Sequence, residues 1–234
     1  MKVNSFIQNL NEGLYDPGIF KAFFLAGGPG SGKTFVTSSA FAGTGLKLVN
    51  SDNAFERNLK KAGLSMKMPD EEEYFRNIIR QRAKTTAITQ LETYLKGRLG
   101  LVIDSTGRDY DLIARNVNML KQIGYDCYMV FVNTSLEVAL ARNARRERTI
   151  PEYITTSSWN GVQSNMGKFQ RLFGMSNFLV VDNNKSDLEL TTLTMNRVSK
   201  EVRKYMKTPI QSYIAKRWMA SERKARRRWD LKIF

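Results

Sequence analysis

Apolar residues fall along this chain in two alternating rhythms. Short runs rich in β-branched and aromatic residues, at 19–26, 46–49, 99–103, 128–132 and 178–181, predict five strands. Longer polar stretches between them carry apolar residues three and four positions apart. They predict helices over 33–41, 70–96, 110–123, 136–146, 152–173 and 187–206, and another starting near Ala54. In the longest, Tyr74, Ile78, Ile79, Ala83, Ala87, Leu91 and Leu95 mark the repeat. The turn signals Asp16-Pro17-Gly18 and Gly43-Thr44-Gly45 punctuate the pattern. Strands alternating with helices imply βαβ units, so the expectation is an α/β domain with a central, parallel, five-stranded sheet covered by helices on both faces. Ligands of such sheets sit beyond the carboxyl ends of the strands. A final helix is predicted from Thr208-Pro209, an N-cap with proline at the first helical position, placing Ile214, Trp218, Ala225 and Trp229 on one stripe. The chain then divides into a main domain, 1–206, and a helical extension, 207–234.

The first strand runs directly into Gly27-Gly28-Pro29-Gly30-Ser31-Gly32-Lys33-Thr34. Gly-x4-Gly-Lys-Thr between a strand and a helix is the phosphate-loop pattern. Glycines let backbone N–H groups converge on phosphate oxygens, and the following helix N-terminus adds partial positive charge. The lysine reaches the β- and γ-phosphates, and the threonine hydroxyl can ligate Mg²⁺. The pattern predicts a phosphate-loop fold binding a nucleoside triphosphate, with Gly28, Gly30, Ser31, Gly32, Lys33, Thr34 and Phe35 holding it. Behind the second strand, Asp52 is placed to accept a proton from an attacking hydroxyl; the competing reading makes it the cap of the helix near Ala54. The third strand ends in Asp104, whose carboxylate suits Mg²⁺ or substrate. After the fourth strand, Arg142, Arg145, Arg146 and Arg148 form a cluster that reads as a lid closing over phosphates, about 142–165, rather than as a solvated helix face.

Composition narrows the chemistry. Histidine is absent, so Cys/His zinc sites and His-based triads are excluded, and a general base must be a carboxylate, lysine or tyrosine. The single cysteine, Cys127, cannot form an internal disulfide and lies in an apolar run, so a packed thiol in a reducing compartment is expected. No apolar run approaches a bilayer span and the first residues are not signal-like, so a cytoplasmic location is expected. The net charge of +15 is concentrated: from Arg197 onward, thirteen basic residues oppose three acidic ones, leaving +10 in the tail. The tail reads equally as a nucleic-acid-binding element with stacking tryptophans and as a helix packed on the body with solvated charges.

Together these stretches resemble the zeta-toxin and polynucleotide-kinase branch of phosphate-loop kinases over residues from about 20 to 184. The best local match is Val102-Ile103-Asp104-Ser105-Thr106-Gly107-Arg108, similar to the zeta-toxin strand ending in Glu-Gly-Thr-Gly-Arg. The resemblance implies that Lys33 is the phosphate-loop lysine and Asp52 the base. It puts Asp104, Thr106 and Arg108 on the substrate side, makes Arg145 and Arg148 the lid arginines, and sets Asn183 near the nucleotide base. It implies ATP with Mg²⁺ and a phage origin. Asp104 stands where zeta toxins have a glutamate, and Phe55 near where polynucleotide kinases have a substrate-binding arginine. The expectation is phosphoryl transfer from ATP to an alcohol, foremost on nucleic acid. The alternatives are a small-molecule kinase for a UDP-amino-sugar or nucleoside, and a nucleotide-binding assembly protein without catalysis.

Overall fold

The computed structural model describes residues 13–184 and 188–230, with the side chains of 188 and 227–230 excepted. Five strands, β1 (Lys21–Ala26), β2 (Lys47–Val49), β3 (Leu101–Asp104), β4 (Asp126–Asn133) and β5 (Phe178–Asp182), form one sheet in the order β2-β3-β1-β4-β5. Every neighbouring pair is parallel, and Leu25 of β1 stands beside Asp104 of β3 and Val130 of β4. β1 is central and buried along its whole length, which is why its sequence reads as a continuous apolar run.

Alternation along β1 sends Phe24 to one face and Phe23 and Leu25 to the other. On the first face, Phe24, Met129 and Phe131 pack against Ile113, Val117 and Leu120 of α4 (Tyr110–Gln122) and Phe169 and Phe173 of α6 (Glu152–Phe173). On the second, Phe23, Leu25 and Val130 meet Val36 and Ala40 of α1 (Lys33–Ala40) and Met195, Val198 and Val202 of α7 (Leu188–Lys207). A separate cluster of Phe55, Leu59, Ile79 and Ala83 joins α2 (Ser51–Lys61) to α3 (Glu73–Lys96) beside the β2 edge. α5 (Leu136–Ala144) follows β4. Cys127 is buried, and burial pushes its thiol pKa up to about 12, so it is a packing group.

The predicted elements recur with their ends moved by a residue or two, and three local expectations are corrected. α2 starts at Ser51, not near Ala54, because the Asn50 carboxamide oxygen accepts from the Asp52 backbone N–H at 2.6 Å. The last helix, α8 (Tyr213–Asp230), starts five residues after Thr208. Its first turn is held by Ser212, whose backbone oxygen accepts from Lys216 and whose hydroxyl accepts from Ala215. Its packed stripe runs through Ala215, Trp218 and Met219 rather than Ile214 and Ala225, which are exposed; the Trp229 side chain lies outside the described residues. The predicted start of the preceding helix, Asp187, also lies outside them.

α8 seats on the amino ends of the strands. Ala215 is fully buried against Gly124, just before β4, where a Cβ would stand 2.9 Å from the Ala215 nitrogen. Trp218 meets Phe20 edge-on at 5.5 Å, and Arg98 lies 6.0 Å from its ring. Lys21, at the start of β1, is 2 % exposed and donates to Asp126 and to the Thr208 carbonyl, each at 2.7 Å. Among the described residues no helix is long and apolar enough to cross a membrane.

Candidate active site

At the opposite, carboxyl end of the sheet, β1 turns into the glycine loop. Gly30 and Gly32 adopt positive φ, 77° and 90°, and a Cβ on Gly30 would strike the Ala139 carbonyl. Only glycine fits there. Beneath the loop, the Asn183 side-chain amide donates to the Ser31 carbonyl at 2.7 Å, while the Asn183 backbone carbonyl accepts from Arg142 at 2.7 Å. Asn183 therefore braces the loop. α6 crosses the loop's other side, where Trp159 donates to the Thr134 carbonyl at 2.7 Å and Thr134 donates to Ser31 at 3.2 Å. The 152–165 half of the expected lid thus belongs to a core helix, burying Thr155, Ser158, Val162 and Asn165.

Lys33 opens α1 and folds back over the loop, its ammonium donating to the Gly27 carbonyl at 2.6 Å. Burial lowers its pKa, opposed first by the charge of Asp104 and then by that of Asp52. Thr34 and Phe35, next in the helix, are exposed. Asp104, at the end of β3, has its carboxyl pKa raised by burial, with Lys33 pulling the other way. Its Oδ2 accepts from the Asn50 amide at 2.8 Å, whereas its Oδ1 is buried without a partner. Ser31 Oγ is likewise buried and unpartnered. An unsatisfied buried carboxylate oxygen near a phosphate loop suits a hard cation, and Mg²⁺ takes one or two protein oxygens and completes its shell with phosphates and water. Among the described residues no group of three acidic or thiol ligands exists that would hold a metal alone. The orphaned Oδ1 of Asp104 fits such a shared site.

Asp52 lies in the first turn of α2, its side chain 59 % exposed and 3.4 Å from Arg148. Arg148, with a side chain only 7 % exposed, also approaches Glu56 at 2.9 Å through Nε and stands 5.7 Å from the Phe55 ring. Glu56 adds a looser contact to Arg146 at 4.0 Å, and Lys60 meets Glu147 at 3.0 Å. Asp52, Glu56 and Lys60 follow one helical stripe, so the 145–148 segment rests along α2. Arg145 is exposed and makes no ion pair among the described residues. The segment's far side is tied by Asn143, whose side chain exchanges two hydrogen bonds with Ile150.

Thr106 and Arg108 follow β3. The Thr106 carbonyl accepts from Gly27, and Asn165 holds the carbonyls of Gly107 and Arg108, at 3.1 and 2.8 Å. Both side chains point outward, exposed. The fold therefore brings Asp104, Asp52 and Arg148 near enough to Lys33 for their charges to act on it. Arg145, Thr106 and Arg108 are exposed, and Asn183 is bonded to the loop at Ser31. The sequence reading missed Asn50 and Glu56. Asn50 had a signal, an amide next to a strand end, and Glu56 had another, a carboxylate four residues after Asp52.

A family model described as an AAA domain matches residues 23–169. No curated protein matches significantly. Among solved structures, the PezAT toxin–antitoxin system of Streptococcus pneumoniae is similar at a TM-score of 0.52 and 14% identity, over 87% of this chain and 94% of that one. The AvrRxo1-ORF1:ORF2 complex with ATP is similar at a TM-score of 0.53 and 14% identity, over 94% of this chain and 87% of that one. At such identities these likenesses speak for the fold.

Proposed function

The chain belongs to the AAA domain family, and from that premise and the site geometry we propose that it is a P-loop kinase, transferring the γ-phosphoryl group of ATP to an alcohol. The observation that carries the reading is the convergence of Lys33 with two carboxylates, Asp104 and Asp52, from the ends of adjacent strands. Hydrolases of the same loop need only a positioned water; a second carboxylate beyond the loop supplies a base for an incoming hydroxyl. The loop amides and Lys33 cradle the β- and γ-phosphates. Asp52 receives the acceptor's proton, and Arg148 and Arg145 offset charge that develops on the transferred group. Thr34 and Asp104 would hold Mg²⁺, which would supply further charge neutralisation when bound. Arg148 is occupied by Asp52 and Glu56 in the structure, so phosphates recruit it by outcompeting two carboxylates. The kinases resembled at the sequence level include zeta toxins, and the PezAT structure is a toxin–antitoxin system; a protein partner that blocks the site is consistent with that relation.

For the acceptor, one observation favours nucleic acid. Lys216, Arg217, Arg223 and Lys224 of α8 are exposed and form no ion pair among the described residues. They stand, however, at the amino ends of the strands, roughly 20 Å from the loop for six residues of strand. A strand bound there must reach around the body to present its hydroxyl to Asp52. Transfer of radiolabelled γ-phosphate to DNA, RNA, UDP-sugars and nucleosides tests both levels. Labelling of one class identifies the acceptor; absence of transfer to every class, with ATP bound, removes the kinase reading in favour of a nucleotide-binding assembly protein.

A further inference from the structure

One neutral side chain, given no role in the mechanism above, is bonded to both residues that supply its carboxylates. The parallel register of β2 and β3 sets Val49 beside Ile103, so the next position on each strand brings Asn50 alongside Asp104. The Asn50 carboxamide is used at both ends. Its Nδ2 donates to Asp104 Oδ2 at 2.8 Å, and its Oδ1 accepts from the Asp52 backbone N–H at 2.6 Å. Turning the amide over would set oxygen against oxygen and N–H against N–H, so a single orientation satisfies both neighbours.

The two bonds act on different elements. The first decides which oxygen of Asp104 stays open: with Oδ2 pinned, the buried Oδ1 is the atom left without a partner. A carboxyl group turns easily about its last torsion, whose wells are broad, so without that bond neither oxygen is singled out. The second bond caps the first turn of α2, the turn that carries Asp52. A cap alone does not call for asparagine, because serine and threonine also serve. Neither of those carries an amide, and their hydroxyls sit on shorter stems. A cap that must also reach across to a carboxylate and donate to it does call for asparagine.

We propose that Asn50 is a positioning residue for phosphoryl transfer, whose one amide keeps Asp104 Oδ1 open for the shared Mg²⁺ site and fixes the helix turn that carries Asp52. The inference rests on the kinase reading and deepens it. The two tasks are separable, since a substitution can keep the cap and lose the donor.

The test compares the full chain with Asn50→Ser, which keeps the cap and loses the bond to Asp104, and Asn50→Ala, which loses both. Calorimetric titration of a non-hydrolysable ATP analogue over a Mg²⁺ series gives the Mg²⁺ concentration at which binding is half-tightened, a readout independent of turnover. Both variants should need about 10–100-fold more Mg²⁺, the loss typical when a partner that orients a metal ligand is removed. Analogue binding without Mg²⁺ should stay at the wild-type level. Residue-resolved hydrogen exchange reads the cap: the Asp52 amide should exchange about 5–30-fold faster in Asn50→Ala and at nearly the wild-type rate in Asn50→Ser. In an Asp104→Asn background, Asn50→Ser should shift the Mg²⁺ series no further, because the residue acts through Asp104. Asn50→Thr, another capping residue without an amide, repeats the comparison if Asn50→Ser unfolds below the assay temperature. A wild-type Mg²⁺ series in Asn50→Ser, an equal further shift in the Asp104→Asn background, or loss of Mg²⁺-free binding in Asn50→Ser overturns the inference. So does a wild type whose analogue binding ignores Mg²⁺. Radiolabelled transfer is scored separately: if the shifts are seen and no acceptor is labelled, the kinase reading falls and the Asn50 link to Asp104 stands.

Discussion

The two ends of the sheet are both crowded with lysine and arginine, yet they use charge in opposite ways. At the carboxyl end, Lys33, Arg80 and Arg148 are wholly or partly withdrawn from water and their environments are visible in displaced pKa values or close ion pairs. At the amino end, α8 turns Ala215, Trp218 and Met219 inward and leaves Lys216, Arg217, Arg223 and Lys224 in solvent. Withdrawn charge has few partners and strong, directional interactions; exposed charge is screened within about 8–10 Å at physiological salt. A basic composition therefore says nothing about chemistry until burial is known. On the proposed reading the first end holds a compact polyanion in one geometry, while the second leaves its cations in solvent.

That contrast can be broken most sharply at Asp52. Asp52→Asn keeps the helix start, since Asn50 makes the cap, and removes only the basic carboxylate. Phosphoryl transfer is expected to fall about 10²–10⁴-fold with ATP affinity nearly unchanged, measured by single-turnover transfer and by equilibrium binding of the nucleotide. Retention of full turnover removes Asp52 from its role.

The pH dependence is the next largest effect. With the Asp104 carboxyl raised by burial, lowering the pH protonates it before an ordinary aspartate, whose value is about 3.9. The profile of kcat/KM should fall on the acid side above that value, and Asp104→Asn should lose that limb together with much of the Mg²⁺ dependence. Lys33 acts on the other side. Its lowered pKa sheds the proton earlier as pH rises, so the alkaline limb should begin below the ordinary lysine value of about 10.4. For stability the Asp104 sign is unfavourable to the charged form: the folded protein holds that proton longer than the unfolded one, so this group's contribution declines as pH rises between the two values.

At the amino end, Lys21 is the exception that sharpens the comparison, because among the described residues there it is a basic group that is fully buried and paired. Lys21→Met strands Asp126, whose side chain is 25% exposed, and removes the bond to Thr208 that ties α7 and α8 to the sheet. A loss of about 2–3 kcal/mol, or roughly 4–10 °C in Tm, is expected in a thermal melt. The smallest effect belongs to the exposed face. Replacing Lys216, Arg217, Arg223 and Lys224 together by glutamine should move stability by no more than about 0.5 kcal/mol per site, seen in denaturant unfolding. If α8 holds nucleic acid, the same variant should flatten the log–log salt dependence of DNA binding by up to about 3–4. Deleting α8 outright is a poorer probe, since it uncovers Phe20 and Gly124 as well.

Much of this was legible in the chain. The glycine loop, the five apolar runs and the alternation of strand and helix required no coordinates, because backbone conformation at Gly30 and burial along β1 are imposed locally and by period. Asp52, Asp104 and Arg148 were also nameable, each from its place after a strand or in a resembled motif. The starts of α2 and α8 were misplaced because Asn50 and Ser212 competed with Asp52 and Thr208 as caps, and only the side-chain geometry decides between neighbours that can all cap.

By itself the sequence determined the parallel α/β fold, the phosphate loop and the absence of histidine chemistry, since these follow from periodicity, residue type and counting. The tertiary structure alone decided that Arg148 rests on Asp52 and Glu56, that Asn183 supports the loop from below, that Arg80 lies on Phe55, and that the basic helix occupies the end of the sheet away from the loop. Each of these depends on groups separated by tens of residues meeting across elements. Charge and hydrogen bonding act over a few ångströms, and only packing sets which distant residues come that close.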